Sequence, residues 1–375
     1  MNKKGLHSFF LLISHFVSAQ EKPIVLEGTI GKYPVIMEIS IYDSSCDARY
    51  FYTNQRKDIK LTGVIDRNNK ILVTSDNHGD KKAPEEKIEL RKATHAYSGT
   101  WSTGNKKLPV TLKQVSLESY KNPYKDFTAI RDLQKEDLYG FIRTSGFVFI
   151  QAADSMNRNF QWYKEKYSGV VMPRLRSGYP EAVIEKVNMV LMEKHLTESN
   201  NSLECMGAPF GDYYISIDNI LIDKNIFSLN INTSYDCGGA HPDFGSEGLN
   251  FNGLTGELLK LDEIFWFSKT KPPAEDSNGW YDYRGSIFAP KIVELLKLSH
   301  PKEMNKPDEK DEEQCDYTDT EVWDFPNWYF TSQGLYVGAI FARAERSCDS
   351  PEWSVIPYKF LKPYLSPEAK LQFPQ

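Results

Sequence analysis

Between Ile24 and Val115 the apolar residues recur at every second position and never at helical spacing, so this stretch can bury one side of itself only as extended strands. Val35, Met37, Ile39 and Ile41 alternate with Ile36, Glu38, Ser40 and Tyr42. Further short runs follow at Ile59–Ile65, Lys70–Thr74, Lys87–Leu90, Tyr97–Trp101 and Leu108–Val115. Turn residues such as Asp66-Arg-Asn-Asn69 and Thr103-Gly-Asn105 separate neighbours. Short strands joined by tight turns leave unpaired edges unless the sheet closes or stacks. Residues 20–118 are therefore expected to form an all-β barrel or sandwich.

The pattern then changes. Residues 119–146 are polar and charged and read as a linker, with one short helix around Ile130 to Tyr139. Residues 147–375 mix the two periodicities. Pro180 suits a first helical turn, and Val183, Ile184, Val187, Val190 and Leu191 recur at helical spacing, with Lys194 and His195 placed in the last turn. Strands are expected at Tyr213–Ile222 and Ile226–Tyr235 around Asp223-Lys-Asn225, and a second pair at Gly248–Asn252 and Glu257–Leu261. Asp262 is placed as the cap of a short helix ending at Phe265, and Pro290 should kink or divide a helix over residues 283–299. The charged run from Pro301 to Gln314 reads as a solvated loop, and Trp328–Ser332, Leu335–Ala342 and Trp353–Pro357 as strands. Strands and helices are grouped, so the fold class is an N-terminal all-β barrel or sandwich plus a C-terminal α+β domain with an antiparallel sheet.

The first 19 residues have the layout of an export signal. Lys3 and Lys4 precede the apolar stretch Phe9 to Ile13 with Phe16 and Val17, and Val17-Ser18-Ala19 supplies small residues for cleavage before Gln20. The stretch is far short of the roughly 20 apolar residues of a membrane span. With no Cys after it, no lipid anchor is expected. The expected location is periplasmic or extracellular.

Cysteine usage agrees with an oxidising compartment. Four Cys permit three connectivities, and nearest-neighbour pairing as Cys205–Cys237 and Cys315–Cys348 is expected, each closing a loop of about 33 residues. Zinc is the competing reading, but no CxxC or HxxxH spacing supports it, so neither metal nor cofactor is expected. Cys46 is left over in a Ser-Ser-Cys-Asp turn as a free thiol. The formal charge of −6 becomes −8 once Lys3 and Lys4 are removed, with no basic stripe to attract nucleic acid.

Chemistry-bearing residues are densest at Tyr235-Asp-Cys-Gly-Gly-Ala-His-Pro242. Gly238 and Gly239 permit a sharp turn, and His241, flanked by Asp236 and Asp243, could act as a base or ligand. In the alternative the glycines shape a bend and His241 bonds to backbone. Nucleophile motifs are missing: Gly245-Ser-Glu-Gly248 is one residue short of a nucleophile elbow. Two aromatic groups, Trp266, Phe267, Trp280, Tyr281 and Tyr283, then Trp323, Phe325, Trp328, Tyr329 and Phe330, could supply core or a recognition surface.

Taken in order, Tyr235-x-x-Gly-Gly-Ala-His-Pro242, Leu249-Asn-Phe251 and Thr255-Gly-Glu-Leu-Leu-Lys-Leu-Asp-Glu-Ile-Phe265 resemble the C-terminal domain of RsiV-type anti-sigma factors, a domain that also occurs beside peptidoglycan deacetylase domains. Upstream, Val171 to Lys194 is similar to the segment preceding that domain, including a helix with an Asn like Asn188. Phe330-Thr-Ser-Gln-Gly-Leu335 and Ile356 to Leu365 match its closing hairpin and helix. The resemblance covers about residues 160–366 and implies an extracytoplasmic α+β binding module whose best understood member binds lysozyme. The candidate binding residues are Tyr235, Asp236, Gly238, Gly239, His241 and Pro242 of the dense segment, and the resemblance implies a protein such as a cationic muramidase, or cell-wall glycan, as partner. No catalytic residue is implied; the alternative is an envelope hydrolase using His241 with nearby carboxylates.

Overall fold

The computed structural model describes residues 22–75, 85–152, 159–207, 211–307, 315–369 and 371–374. The expected export signal and residues 308–314 of the charged loop lie outside the described residues. The described residues divide into two compact units, one within residues 22–54 and 59–116, the other within residues 55–58 and 117–374.

The first unit is a closed barrel of eight antiparallel strands in sequence order: β1 (Ile24–Ile30), β2 (Tyr33–Tyr42), β3 (Ser45–Tyr52), β4 (Ile59–Ile65), β5 (Lys70–Ser75), β6 (Glu86–Lys92), β7 (Ala96–Thr103) and β8 (Lys106–Gln114). Closure comes from β1 pairing with β8, Leu26 opposite Gln114 and Ile30 opposite Val110, which removes both edges. The alternating residues meet inside: Leu26, Met37, Ile39, Val73, Ile88, Leu90 and Val110 are almost fully buried.

Strand β3 departs from the expected turn at Cys46. The hairpin bends at Asp43, whose φ is 52°, so Cys46 already pairs with Ile41 and is 1 % exposed in the barrel core. The segment Ser-Cys-Asp-Ala-Arg-Tyr-Phe-Tyr does alternate, but its inward residues include Cys46 and Ala48, too small to stand out as an apolar run.

In the second unit, residues expected as linker form α1 (Thr128–Glu136) and α2 (Leu138–Ser145). Asp137 caps α2 by accepting from the Gly140 N–H, and Tyr139, Phe141 and Ile142 are buried. There follow β9 (Phe149–Gln151), β10 (Phe160–Glu165), β11 (Val171–Leu175) and the long helix α3 (Glu181–Cys205). Next come β12 (Asp212–Ile222), β13 (Ile226–Asp236), β14 (Asp243–Asn252), α4 (Leu261–Ile264), α5 (Asn278–Tyr283) and α6 (Ala289–Ser299). The chain closes with β15 (Asn327–Phe330), β16 (Gly334–Gly338), β17 (Val355–Pro357) and α7 (Tyr358–Leu361). The strands make three antiparallel three-stranded sheets, in the orders β11-β10-β9, β12-β13-β14 and β15-β16-β17.

Several local expectations change. Helix α3 runs ten residues past His195, because polar Glu198, Ser199, Asn200 and Ser202 are themselves buried and hide the helical apolar pattern. His195 is consequently mid-helix and buried. Strand β14 begins at Asp243 and pairs with β13 along its length, leaving only a single bridge, Phe251 to Leu258, of the expected second pair. Asp262 lies inside α4 and caps nothing; it accepts from the Trp280 indole at 2.7 Å and pairs with Arg284 at 2.8 Å. Ahead of Pro290, Arg284–Phe288 form a π-helical turn, which absorbs the hydrogen bond that a proline cannot donate.

Two disulfides are formed, Cys205–Cys237 and Cys315–Cys348, with Cα–Cα separations of 4.5 and 5.6 Å. Among the described residues, no helix is long and apolar enough to cross a membrane.

Candidate functional site

The sheet β12-β13-β14 has two unlike faces because its central strand alternates strictly. Phe227, Leu229 and Ile231 pack into a core with Val187 and Leu191 of α3, whereas Asn230 and Asn232 turn the other way. The register places Tyr214, Ser234 and Phe244 in one row across the three strands, and Ser216, Asn232 and Ser246 in the next. These residues line a groove of about 480 Å³, completed by Asn327, Ile340, Arg346, Asp349 and Ser350.

The floor of this groove is a preformed row of amides and hydroxyls. Asn327 Nδ2 donates to Asn230 Oδ1 at 3.1 Å and to Ser246 Oγ at 2.8 Å, and Asn230 Nδ2 donates to Asn232 Oδ1 at 2.9 Å. Asn232 Nδ2 then donates to Asp218 Oδ2 at 2.6 Å. Such a row holds each amide in one orientation; Asn232, Ser246 and Asn327 line the groove, while Asn230 is buried beneath them.

The walls are apolar. Tyr214 is 65 % exposed and Phe244 45 %, and Ile340 also stands out of the surface. Arg346 fixes the Phe244 side: its guanidinium lies 4.4 Å from the ring centroid, donates to the Phe244 carbonyl at 2.8 Å and pairs with Asp243 and Asp349. The Cys315–Cys348 disulfide anchors the segment that carries Arg346. Close approach of β15 depends on Gly248, where a Cβ would come 1.9 Å from the Trp328 carbonyl oxygen.

The residues singled out in the sequence sit at one end of this sheet, in and beside the β13–β14 hairpin. Gly238 has φ of 75°, its N–H bonding to Asp236 Oδ1 at 3.0 Å, and Cys237 ties the loop to the end of α3. Gly238, Gly239, His241 and Pro242 are all exposed, and His241 makes no hydrogen bond with a described residue. Tyr235 faces away from the groove, stacked on Tyr213 at 5.7 Å, whose hydroxyl donates to Glu198. The loop and the groove thus share strands β13 and β14, but Tyr235 and His241 line no part of the groove.

Of the two aromatic groups, Trp323, Phe330, Tyr283 and Phe267 are core. Tyr281 and Phe325, both well exposed, pack together with Trp280 beside a second cleft of about 730 Å³. Most charges of that cleft are paired, Arg284 with Asp262, Lys260 with Glu275 and Lys271 with Glu368. Among the described residues, no group of three or more His, Cys, Asp or Glu is placed to hold a metal ion.

Sequence reasoning missed Tyr214, Phe244, Arg346 and the Asn row. The available signal was Leu229-Asn-Ile-Asn232, amides alternating with aliphatics in a strand.

No protein-family model matches the chain, and no curated protein is significantly similar to it. Among solved structures, the chain is similar to a DUF3298 family protein from Pseudomonas aeruginosa PAO1, at 13 % identity and a TM-score of 0.31, over 61 % of this chain and 94 % of that one.

Proposed function

We propose that the chain is a binding protein of the periplasm or extracellular space, and that its groove across β12-β13-β14 takes cell-wall glycan. The observation that carries this reading is the pairing of two exposed rings, Tyr214 and Phe244, with the fixed amides Asn232 and Asn327. Sugars present apolar C–H faces and a fringe of hydroxyls, which an aromatic wall and an amide floor complement. The disulfides and the export signal read in the sequence support the location. The ordered motifs resembling the RsiV-type domain support an envelope role, and the hairpin tip at Gly238 to Pro242 is then an exposed rim beside the groove.

Binding is favoured over hydrolysis because His241 stands at an exposed tip with no nucleophile or orienting carboxylate hydrogen-bonded to it among the described residues. The test is co-sedimentation of the mature chain with purified wall glycan, alongside beads carrying a cationic muramidase. Retention on glycan above that of an unrelated acidic protein supports the reading. Retention on the muramidase alone moves the site to a protein partner, and retention on neither contradicts both.

A further inference from the structure

A second site lies in a hollow between the sheet β9-β10-β11 and α3, away from the groove in sequence and independent of the glycan reading. Alternation puts Gln151 of β9, Gln161 and Tyr163 of β10 and Arg174 of β11 on one face, with Gln161 opposite Arg174 and Tyr163 opposite Gln151. Arg176, two residues on from Arg174, continues that row past the strand end. These residues line a hollow of about 610 Å³, bounded by Phe149 and by Asn188 and Met192 of α3.

Arg174 is the unusual member. Its Nη1 donates to the Pro173 carbonyl at 2.8 Å, and its Nη2 contacts Met192 Sδ at 2.8 Å and His195 Nδ1 at 3.1 Å. Among the described residues, no carboxylate pairs with it. Its neighbour His195 cannot supply a charge: Nδ1 accepts from Arg174 and Nε2 donates to the Val170 carbonyl at 3.0 Å, which is the neutral tautomer. Burial pulls the guanidinium down to about 10, so it stays charged at neutral pH. A guanidinium withdrawn from water with no counter-charge is costly, and an anion entering the hollow offsets that cost. Three of its five N–H donors are engaged by these contacts, which leaves Nε–H and one Nη1 hydrogen for a ligand. Arg176 is exposed at the rim, and among the described residues its guanidinium has a 3.4 Å contact to Gln161 Oε1.

We infer that this hollow is an oxyanion site, in which Arg174 and Arg176 take the carboxylate or phosphate group of a small molecule, Gln151 and Gln161 offer amide contacts, and Phe149 and Met192 cover its apolar part. The fork geometry of guanidinium suits either oxyanion.

The test is side-chain NMR of the Arg174 Nε–H, assigned by its loss in Arg174→Lys, during titration with inorganic phosphate and separately with acetate at constant ionic strength. The expected result is a saturable shift with at least one anion, weakened about ten-fold in Arg176→Gln, whose exposed side chain is dispensable for folding. Tighter binding of phosphate marks a phosphate-bearing ligand, and tighter binding of acetate a carboxylate-bearing one. Shifts that stay linear with both anions, or saturation unchanged in Arg176→Gln, overturn the site. Should Arg174→Lys fail to fold, calorimetric titration of phosphate and acetate into the parent and into Arg176→Gln decides by the same criteria.

Discussion

Asn188 of α3 satisfies both backbone groups of Leu175 on β11: its Oδ1 accepts from the Leu175 N–H at 2.7 Å, and its Nδ2 donates to the Leu175 carbonyl at 2.9 Å. One side chain thus takes the place of a neighbouring strand at the edge of the sheet, and fastens the helix to it. Replacement by Ala leaves a donor and an acceptor without partners in a mostly buried position, which costs about 2–3 kcal/mol. Urea unfolding of Asn188→Ala should show that loss with an unchanged m-value; a loss near zero contradicts the clamp.

His195 gives the second unit an acid limit. Burial first, and the Arg174 charge second, hold the imidazole down from 6.5 to about 3. The unfolded chain takes up a proton below about pH 6.5 that the folded chain refuses, so this contribution to stability is complete above that pH and declines as pH falls toward 3. The slope is at most about 1.4 kcal/mol per pH unit. Denaturant midpoints measured between these limits should fall with pH, and should fall less steeply in His195→Gln.

The two disulfides should each matter by roughly 4 kcal/mol, the entropy of a loop of this length in the unfolded chain. The double substitution Cys205→Ser/Cys237→Ser should lower the melting temperature of the second unit and free the hairpin tip, read as faster amide exchange at Gly238 and Gly239. Unchanged exchange there would show that the bond does not restrain the loop.

Cys46 is shut inside the barrel, and burial, then the neighbouring Asp47 carboxylate, push its thiol up. A thiol-reactive chromophore should therefore leave the native chain unlabelled and report one equivalent in denaturant with disulfides intact. Rapid native labelling would contradict the burial.

Much of the fold was legible where one physical signal dominated. The barrel strands announced themselves by alternation because each has one face in an apolar core, and β3 escaped because Cys46 and Ala48 fill that face with small side chains. The hairpin β12–β13 showed the same alternation. The disulfides are the nearest-neighbour pairing, one of the three connectivities that the sequence left open. The second half of α3 was not legible, since its buried residues include Glu198 and Asn200, which pair with Tyr213 and Arg143. The groove was the least legible feature. Its members Tyr214, Phe244, Asn327 and Arg346 lie on separate segments, with Arg346 and Phe244 102 residues apart, and no linear motif records that meeting. The residues that drew attention, Gly238 to Pro242, are locally distinctive because a tight exposed turn demands them.

The most direct test is a binding isotherm on purified wall glycan for residues 20–375 and for the same chain carrying Tyr214→Ala/Phe244→Ala. Both side chains are largely exposed, so the variant should melt within a few degrees of the parent. The account predicts saturable binding by the parent and binding about ten-fold or more weaker in the variant, as expected for removal of aromatic anchors. Equal binding by the two proteins, or no binding by the parent, would contradict it.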